Sequence, residues 1–392
     1  MGRRAPARGQ LLSHTALLQF GDPPEIVQRR LDAIVVPSAR PAAQLAAAAD
    51  LAWELAAPLV VLASRKARRD EILAALAHPE RTGDLIVIDA PETPVGPVPY
   101  LETTDMFAGT AFEYRTDVSR KRNLALLLAR TVGWRHVLFL DDDIAVPDPA
   151  DLRRAVGALD HYDAAGLYID GFPDNSVVCH ARRSVGDHQG TFVGGGALAV
   201  PVHRDDAAFF PDVYNEDWLF LVGPRSLRPV SLIGSAVQGP YDPFADPDRA
   251  RQEEFGDTLA EGLFALLSRH GTVPDALNDG YWVGFLGQRR ALIRDLLRRT
   301  DTLPPGEHRD RIVEALRAAR GRSFLIEPRQ CVRFLLAWQR DRVLWQEVSR
   351  SLPTDLNLAE ALDHFGLRGA ASVRPAESRP SVLDAVRPSV TR

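Results

Sequence analysis

Three adjacent carboxylates, Asp141, Asp142 and Asp143, stand directly after the apolar run Val137 to Leu140. That run is rich in strand formers, so the acids sit where a buried strand stops. Adjacent aspartates repel one another, which raises their pKa values or destabilises the turn unless something cationic is present. Hard oxygen ligands of this kind suit Mg²⁺ or Mn²⁺. In open α/β sheets, ligands bind beyond the carboxyl ends of the strands, which is where these acids fall. A plainer reading stands beside this one: Asp141 or Asp142 caps the helix that opens near Pro149.

Two further groups could do chemistry. Arg122 and Asn123 lie in a strongly helical segment, and a guanidinium there could pair with phosphate oxygens in a bidentate way. Its alternative is a solvated helix face. Glu216 and Asp217 open a segment that turns apolar. A carboxylate there could take a proton from a hydroxyl within hydrogen-bond reach, or it could serve the helix macrodipole. Trp218 beside them is either a wall for an acceptor or part of the core. The run Gly194-Gly195-Gly196 is not a GxGxxG phosphate cradle. It reads either as a place of close backbone approach or as a tight turn.

The elements that would position these residues alternate regularly. Strands are expected at 32–37, 59–63, 85–88, 137–140, 164–170 and 230–237. Helices are expected at 42–56, 68–77, 117–131 and 152–159, with Gly133 ending the third of them. Strand–helix alternation of this kind predicts an α/β fold with a mostly parallel sheet flanked by helices. Residues 91–116 are Pro-rich and irregular, which suits a loop over the sheet edge. From about 250 onward, apolar residues recur at helical spacing on charged backgrounds, which predicts a C-terminal helical appendage. The expected organisation is an N-terminal arm at 1–30, an α/β catalytic region at 31–250, a helical region at 251–369 and a disordered tail at 370–392.

Composition sets limits. The 392 residues carry a formal net charge of −5, which argues against a general nucleic-acid binder. Lys66 and Lys121 are the lysines of the chain; its other basic residues are arginine and histidine. Cys179 and Cys331 are far apart and lack metal-site spacing, which suits buried free thiols in a reducing cytoplasm. No secretory signal and no apolar run of membrane-spanning length is visible, so a cytoplasmic location is expected.

Four features recur in one order: Val35-Val36-Pro37, Lys121-Arg122-Asn123, Asp141 to Asp143, and Asn215-Glu216-Asp217-Trp218. Together they resemble the first-strand, "ARN", DxD and "ED" motifs of a GT-A (Rossmann-like) glycosyltransferase of the family-2-like group, over about residues 31–245. The resemblance implies a nucleotide-diphosphate sugar donor, a hydroxyl acceptor and Mn²⁺ or Mg²⁺. It implies Asp141 and Asp143 at the metal, with Asp141 or Asp142 also toward the nucleotide, Arg122 and Asn123 on the donor, and Asp217 with Glu216 at the catalytic base. Two departures follow. Where such enzymes often carry an acidic pair after the second strand, this chain has Ser64-Arg65-Lys66, which leaves base recognition to Pro37, Ser38, Arg40 or Asp89. The histidine that often completes the metal site is also missing from 230–250, where Gln238 and Asp242 are the oxygen donors of note.

Other classes compete. The acidic strand end also resembles the nucleophile strand of haloacid-dehalogenase-like phosphatases, with Asp141 attacking and Asp143 as acid. That chemistry normally uses a downstream lysine, and none follows Lys121. A sugar-nucleotide pyrophosphorylase would need a Gly-rich, lysine-containing loop that is absent from 35–48. A non-catalytic nucleotide-sugar-binding module is the third alternative. Donor sugar, nucleotide base, acceptor and oligomeric state are not legible.

Overall fold

The computed structural model describes residues 26–77, 83–172, 176–187 and 193–375. Nine strands form one sheet: β1 (Ala33–Ser38), β2 (Leu59–Ala63), β3 (Leu85–Asp89), β4 (His136–Leu140), β5 (Ile144–Ala145), β6 (Ala164–Gly171), β7 (Ala197–Pro201), β8 (Val230–Gln238) and β9 (Ala371–Arg374). Their spatial order is β5-β8-β6-β7-β4-β1-β2-β3-β9. Strands β1, β2, β3, β4, β6 and β8 share one direction, while β5, β7 and β9 run against them.

The inner strands are continuous apolar runs because helices cover both faces. On one face, Ile34, Val36, Leu138 and Leu140 pack with Ala49, Ala52, Leu152 and Val156 from the helices Ala46–Glu54 and Pro149–Ala158. On the other, Val35 and Phe139 pack with Leu124, Leu127 and Leu128 of the helix Val118–Val132. Gly133 ends that helix at φ +82°, a conformation that suits glycine.

The strand order reverses between β1 and β4, so the crevice beyond their carboxyl ends is the natural ligand position. Parallel pairing of Val35 with Phe139 brings Ser38 level with the acidic turn. Antiparallel pairing of Leu140 with Ala197, extended by the Asp141 N–H to the Gly196 carbonyl at 3.0 Å, brings the glycine run to the same level.

The C-terminal helices are more closely joined to the sheet than the word appendage implies. Phe334, Trp338 and Trp345 of the helix Pro328–Ser351 belong to the same core as Val35 and Phe139. Asp341 of that helix accepts from the backbone N–H groups of Glu102 and Thr103, at 2.8 and 2.9 Å, and so caps the short helix Glu102–Asp105 inside the Pro-rich segment. Strand β9 lies within the stretch read as tail and pairs antiparallel with β3. The rest of that stretch, 376–392, is outside the described residues, as are residues 1–25 of the expected N-terminal arm. Ile26 packs against the core, and Arg29 pairs with Asp160 at 2.7 Å. No described helix is long and apolar enough to cross a membrane.

Candidate active site

The acidic turn is divided between two neighbourhoods. Asp142 and Asp143 face the end of β1. The Ser38 hydroxyl donates to Asp142 Oδ2 at 2.5 Å, and Arg40 places its guanidinium 2.6 Å from Asp142 Oδ1 and 2.9 Å from Asp143 Oδ2. Burial pushes the Asp142 carboxyl up, against the pull of Ser38 and Arg40. The cation that three adjacent acids demand is thus partly supplied by the chain.

Asp141 turns the other way. Arg122 bridges Asp141, at 2.9 Å, and Glu216, at 2.6 Å. This arginine is buried rather than on a solvated face. Burial alone would favour its neutral form, but the charges of Asp141 and Glu216 outweigh that and hold it cationic. Burial raises the pKa of Glu216, and the adjacent Asp217 adds to the rise. Asp217 accepts the Gly195 N–H at 2.7 Å. A side chain at Gly194 would strike Asp217, and one at Gly195 would strike Arg122. The glycine run is therefore needed for close approach to the chain's own charged groups.

Between Asp141 and Asp217 lies a cavity of about 360 Å³. It runs past Tyr114, Tyr214 and Trp218 to Arg249 and Glu253. Glu253 pairs with Arg249 at 2.6 Å, and burial lifts its carboxyl to about 7. Trp218 serves both readings given above: it lines the cavity and packs on Phe264 with ring centroids 4.8 Å apart.

The remaining expected site residues lie elsewhere. Asn123 uses its amide on Phe210, donating to the carbonyl and accepting from the N–H, both at 2.8 Å. Asp89 pairs with Arg69 at 3.1 Å beside a separate opening at the ends of β2 and β3. Pro37 sits within β1 opposite Leu62. Sequence reasoning passed over Lys121 as a structural anchor. Its ammonium donates to the Ser38 carbonyl at 2.8 Å and Ser64 Oγ at 2.7 Å, and pairs with Asp117 at 3.0 Å. The Asp117–Lys121 spacing of one helical turn was the available signal.

Whether a divalent cation suits the acidic turn can be tested on the donor set. Gln238 is buried, with its Nε2 at 3.4 Å from Asp143 Oδ2, and its Oε1 has no hydrogen-bond partner. Two adjacent carboxylates suit a hard cation, but the Gln238 atom that faces Asp143 is the amide nitrogen, and the Arg40 guanidinium already supplies a positive charge to both acids. The described residues also hold one trio of metal-type ligands, Cys179, Asp257 and Glu261. Arg289 already pairs with Asp257 at 2.8 Å and Glu261 at 2.7 Å.

No protein-family model and no curated protein matches this sequence. Among solved structures, the chain is similar to the mannosyltransferase PcManGT from Pyrobaculum calidifontis in complex with GDP-Man and Mn²⁺. The identity is 14% and the TM-score 0.34, over 81% of this chain and 90% of that one. Likeness at that level transfers neither activity nor ligands.

Proposed function

We propose that this chain is a glycosyltransferase that moves a sugar from a nucleotide-diphosphate donor to an acceptor hydroxyl, by single displacement with inversion. The observation that carries the reading is the cavity that joins Asp141 to Asp217. Its size falls within the range of about 300–1,000 Å³ usual for small-molecule sites.

In this reading the acceptor oxygen attacks the anomeric carbon as the bond from that carbon to the β-phosphate oxygen breaks. The nucleotide diphosphate leaves with the electron pair, and the acceptor proton passes to Asp217. Asp217 is held in place for the role by backbone N–H groups on both carboxylate oxygens, Gly195 on Oδ2 at 2.7 Å and Trp218 on Oδ1 at 2.8 Å. Glu216 and Arg122 act by position: the salt-bridged chain Glu216–Arg122–Asp141 ties the base segment to the end of β4. Asp143 would hold Mn²⁺ or Mg²⁺ with Asp142 rather than the expected Asp141, because Arg122 draws Asp141 to the other side, toward the cavity. When bound, that ion would neutralise the diphosphate charge that builds as the donor departs.

A thermal-shift panel of UDP-, GDP- and dTDP-sugars, with and without Mn²⁺, tests donor binding, since a ligand of the native state raises apparent stability by mass action. At least one donor is expected to raise Tm. Asp217→Asn should keep that shift and lose on the order of 10²–10⁴-fold in transfer rate. No shift with any donor would overturn the reading. A donor shift with wild-type and variant chains equally unable to transfer would instead favour a binding module.

A further inference from the structure

We propose that the cavity under the Pro-rich segment binds a small cationic amphiphile, a protonated amine on an apolar, aromatic-sized body, with Asp212 as the counter-ion. The inference goes beyond the transferase reading and does not rest on it.

The cavity measures about 450 Å³ and lies between residues 90–108 and the first turns of the helix Val118–Val132. Leu101, Phe107, Leu124, Phe210 and Trp345 give it a buried apolar wall. Tyr100 also lines it and is 66% exposed, so it marks the side open to solvent. The covering segment is built rather than loose. Asp341 holds the backbone of Glu102 and Thr103, and the Arg65 guanidinium donates to the Arg115 carbonyl at 2.6 Å. Phe107 packs on both Phe255 and Phe334. The space is therefore framed by the chain without help from any ligand.

Asp212 is fixed at the wall through its neighbours. Asn123 grips Phe210 with both amide atoms, and the Ser119 hydroxyl donates to the Pro211 carbonyl at 3.0 Å. The carboxyl placed in this way has a buried Oδ1 with no hydrogen-bond partner. An unmet buried acceptor costs stability, and nothing in the packing of the chain requires one here. A single water takes about 30 Å³, so the space far exceeds what solvating one oxygen needs.

Electrostatics choose the head group. Arg120 faces Asp212 with positive charge, while Asp117 and Glu113 face it with negative charge. Asp117 is itself paired with Lys121 at 3.0 Å, and Glu113 with Arg115 at 3.8 Å. Burial pushes the Asp212 carboxyl up to about 6, so it is largely ionised at neutral pH and above. A buried carboxylate that lacks a donor is met best by a cation that donates hydrogen bonds, which an ammonium does. The aromatic walls favour the same head, because ring faces attract cations. A carboxylate or phosphate head would meet Asp212 with like charge.

The test uses the full chain with no sugar nucleotide. 2-Phenylethylamine, 2-phenylethanol and 3-phenylpropionate share a body and differ in head, and each is titrated calorimetrically. The amine should bind, the alcohol should bind about tenfold more weakly, and the acid should not bind measurably. Amine affinity should fall as pH drops through about 6, because Asp212 then takes up a proton. Asp212→Asn should remove both the preference for amine over alcohol and the pH dependence. Its melting temperature, expected at or above that of the wild type, shows that it folds. Val98→Trp, at another wall position, should block amine and alcohol alike. No binding of the amine, equal binding of the three heads, or amine binding indifferent to both variants would overturn the proposal. So would displacement of the amine by uridine, guanosine or thymidine, which would assign the cavity to the donor. Amine binding by a chain that binds no sugar nucleotide would sustain this site and sink the transferase reading.

Discussion

Single side chains in this protein are governed by what burial does to charge. Asp212 shows it most simply. It lies against the cavity under the Pro-rich segment, and its Oδ1 is buried with no hydrogen-bond partner. Burial pushes its carboxyl up to about 6, despite the opposing pull of Arg120. An acid whose folded pKa exceeds its unfolded one favours the native state when protonated, and this contribution fades as pH rises through the folded value. Asp212→Asn removes the titration while keeping the shape. The variant should therefore melt at a higher temperature than wild type above about pH 6, and the gain should vanish toward about pH 4. A pH series of thermal melts checks this, and an equal gain at every pH would contradict it.

Among the helices, Pro247–Leu267 and Asp279–Arg299 are locked by one buried cation. Arg289 is fully buried and pairs with Glu254 at 2.9 Å, Asp257 at 2.8 Å and Glu261 at 2.7 Å. Burial drives the Glu254 and Glu261 carboxyls up, and Arg289 restrains both. Breaking a buried ion pair by removing one partner usually costs about 3–5 kcal/mol, because the other is left uncompensated. Arg289→Met should lose stability on that order near neutral pH, as measured by urea unfolding. The loss should shrink in acid, where the orphaned carboxyls take up protons. Asp257 and Glu261 also line the cavity at the candidate site, so the same change should weaken whatever the cavity binds.

At the scale of the whole molecule, the sheet and the C-terminal helices share their apolar interior. Phe107 of the Pro-rich segment meets Phe255 with centroids 4.6 Å apart and stacks on Phe334 at 6.0 Å. Trp345 meets Phe209 at 5.8 Å. Large aromatics of this kind dominate core energetics. The boundary expected near residue 250 therefore crosses a continuous core. The full chain should unfold in one cooperative transition, and residues 26–250 expressed alone should not give a sharp one. Two separated transitions by calorimetry would restore the picture of an independent helical unit.

The sequence by itself determined most of the elements. Periodicity and continuous apolar runs are local signals, so β2, β4 and the helix ended by Gly133 were legible within a residue or two. So was the acidic turn, because three adjacent carboxylates announce an electrostatic problem without any fold. What answers that problem was decided only in three dimensions. Arg40 is about a hundred residues from Asp142 in the chain, and Arg122 reaches Glu216 across a similar span. Neither pairing leaves a local pattern. The strands β5, β7 and β9 run against the rest because long-range pairing chose their partners. Asn123 is committed to Phe210 and Asp89 to Arg69 for the same reason. Residue type states which charges must be met, while strand order and register choose the groups that meet them.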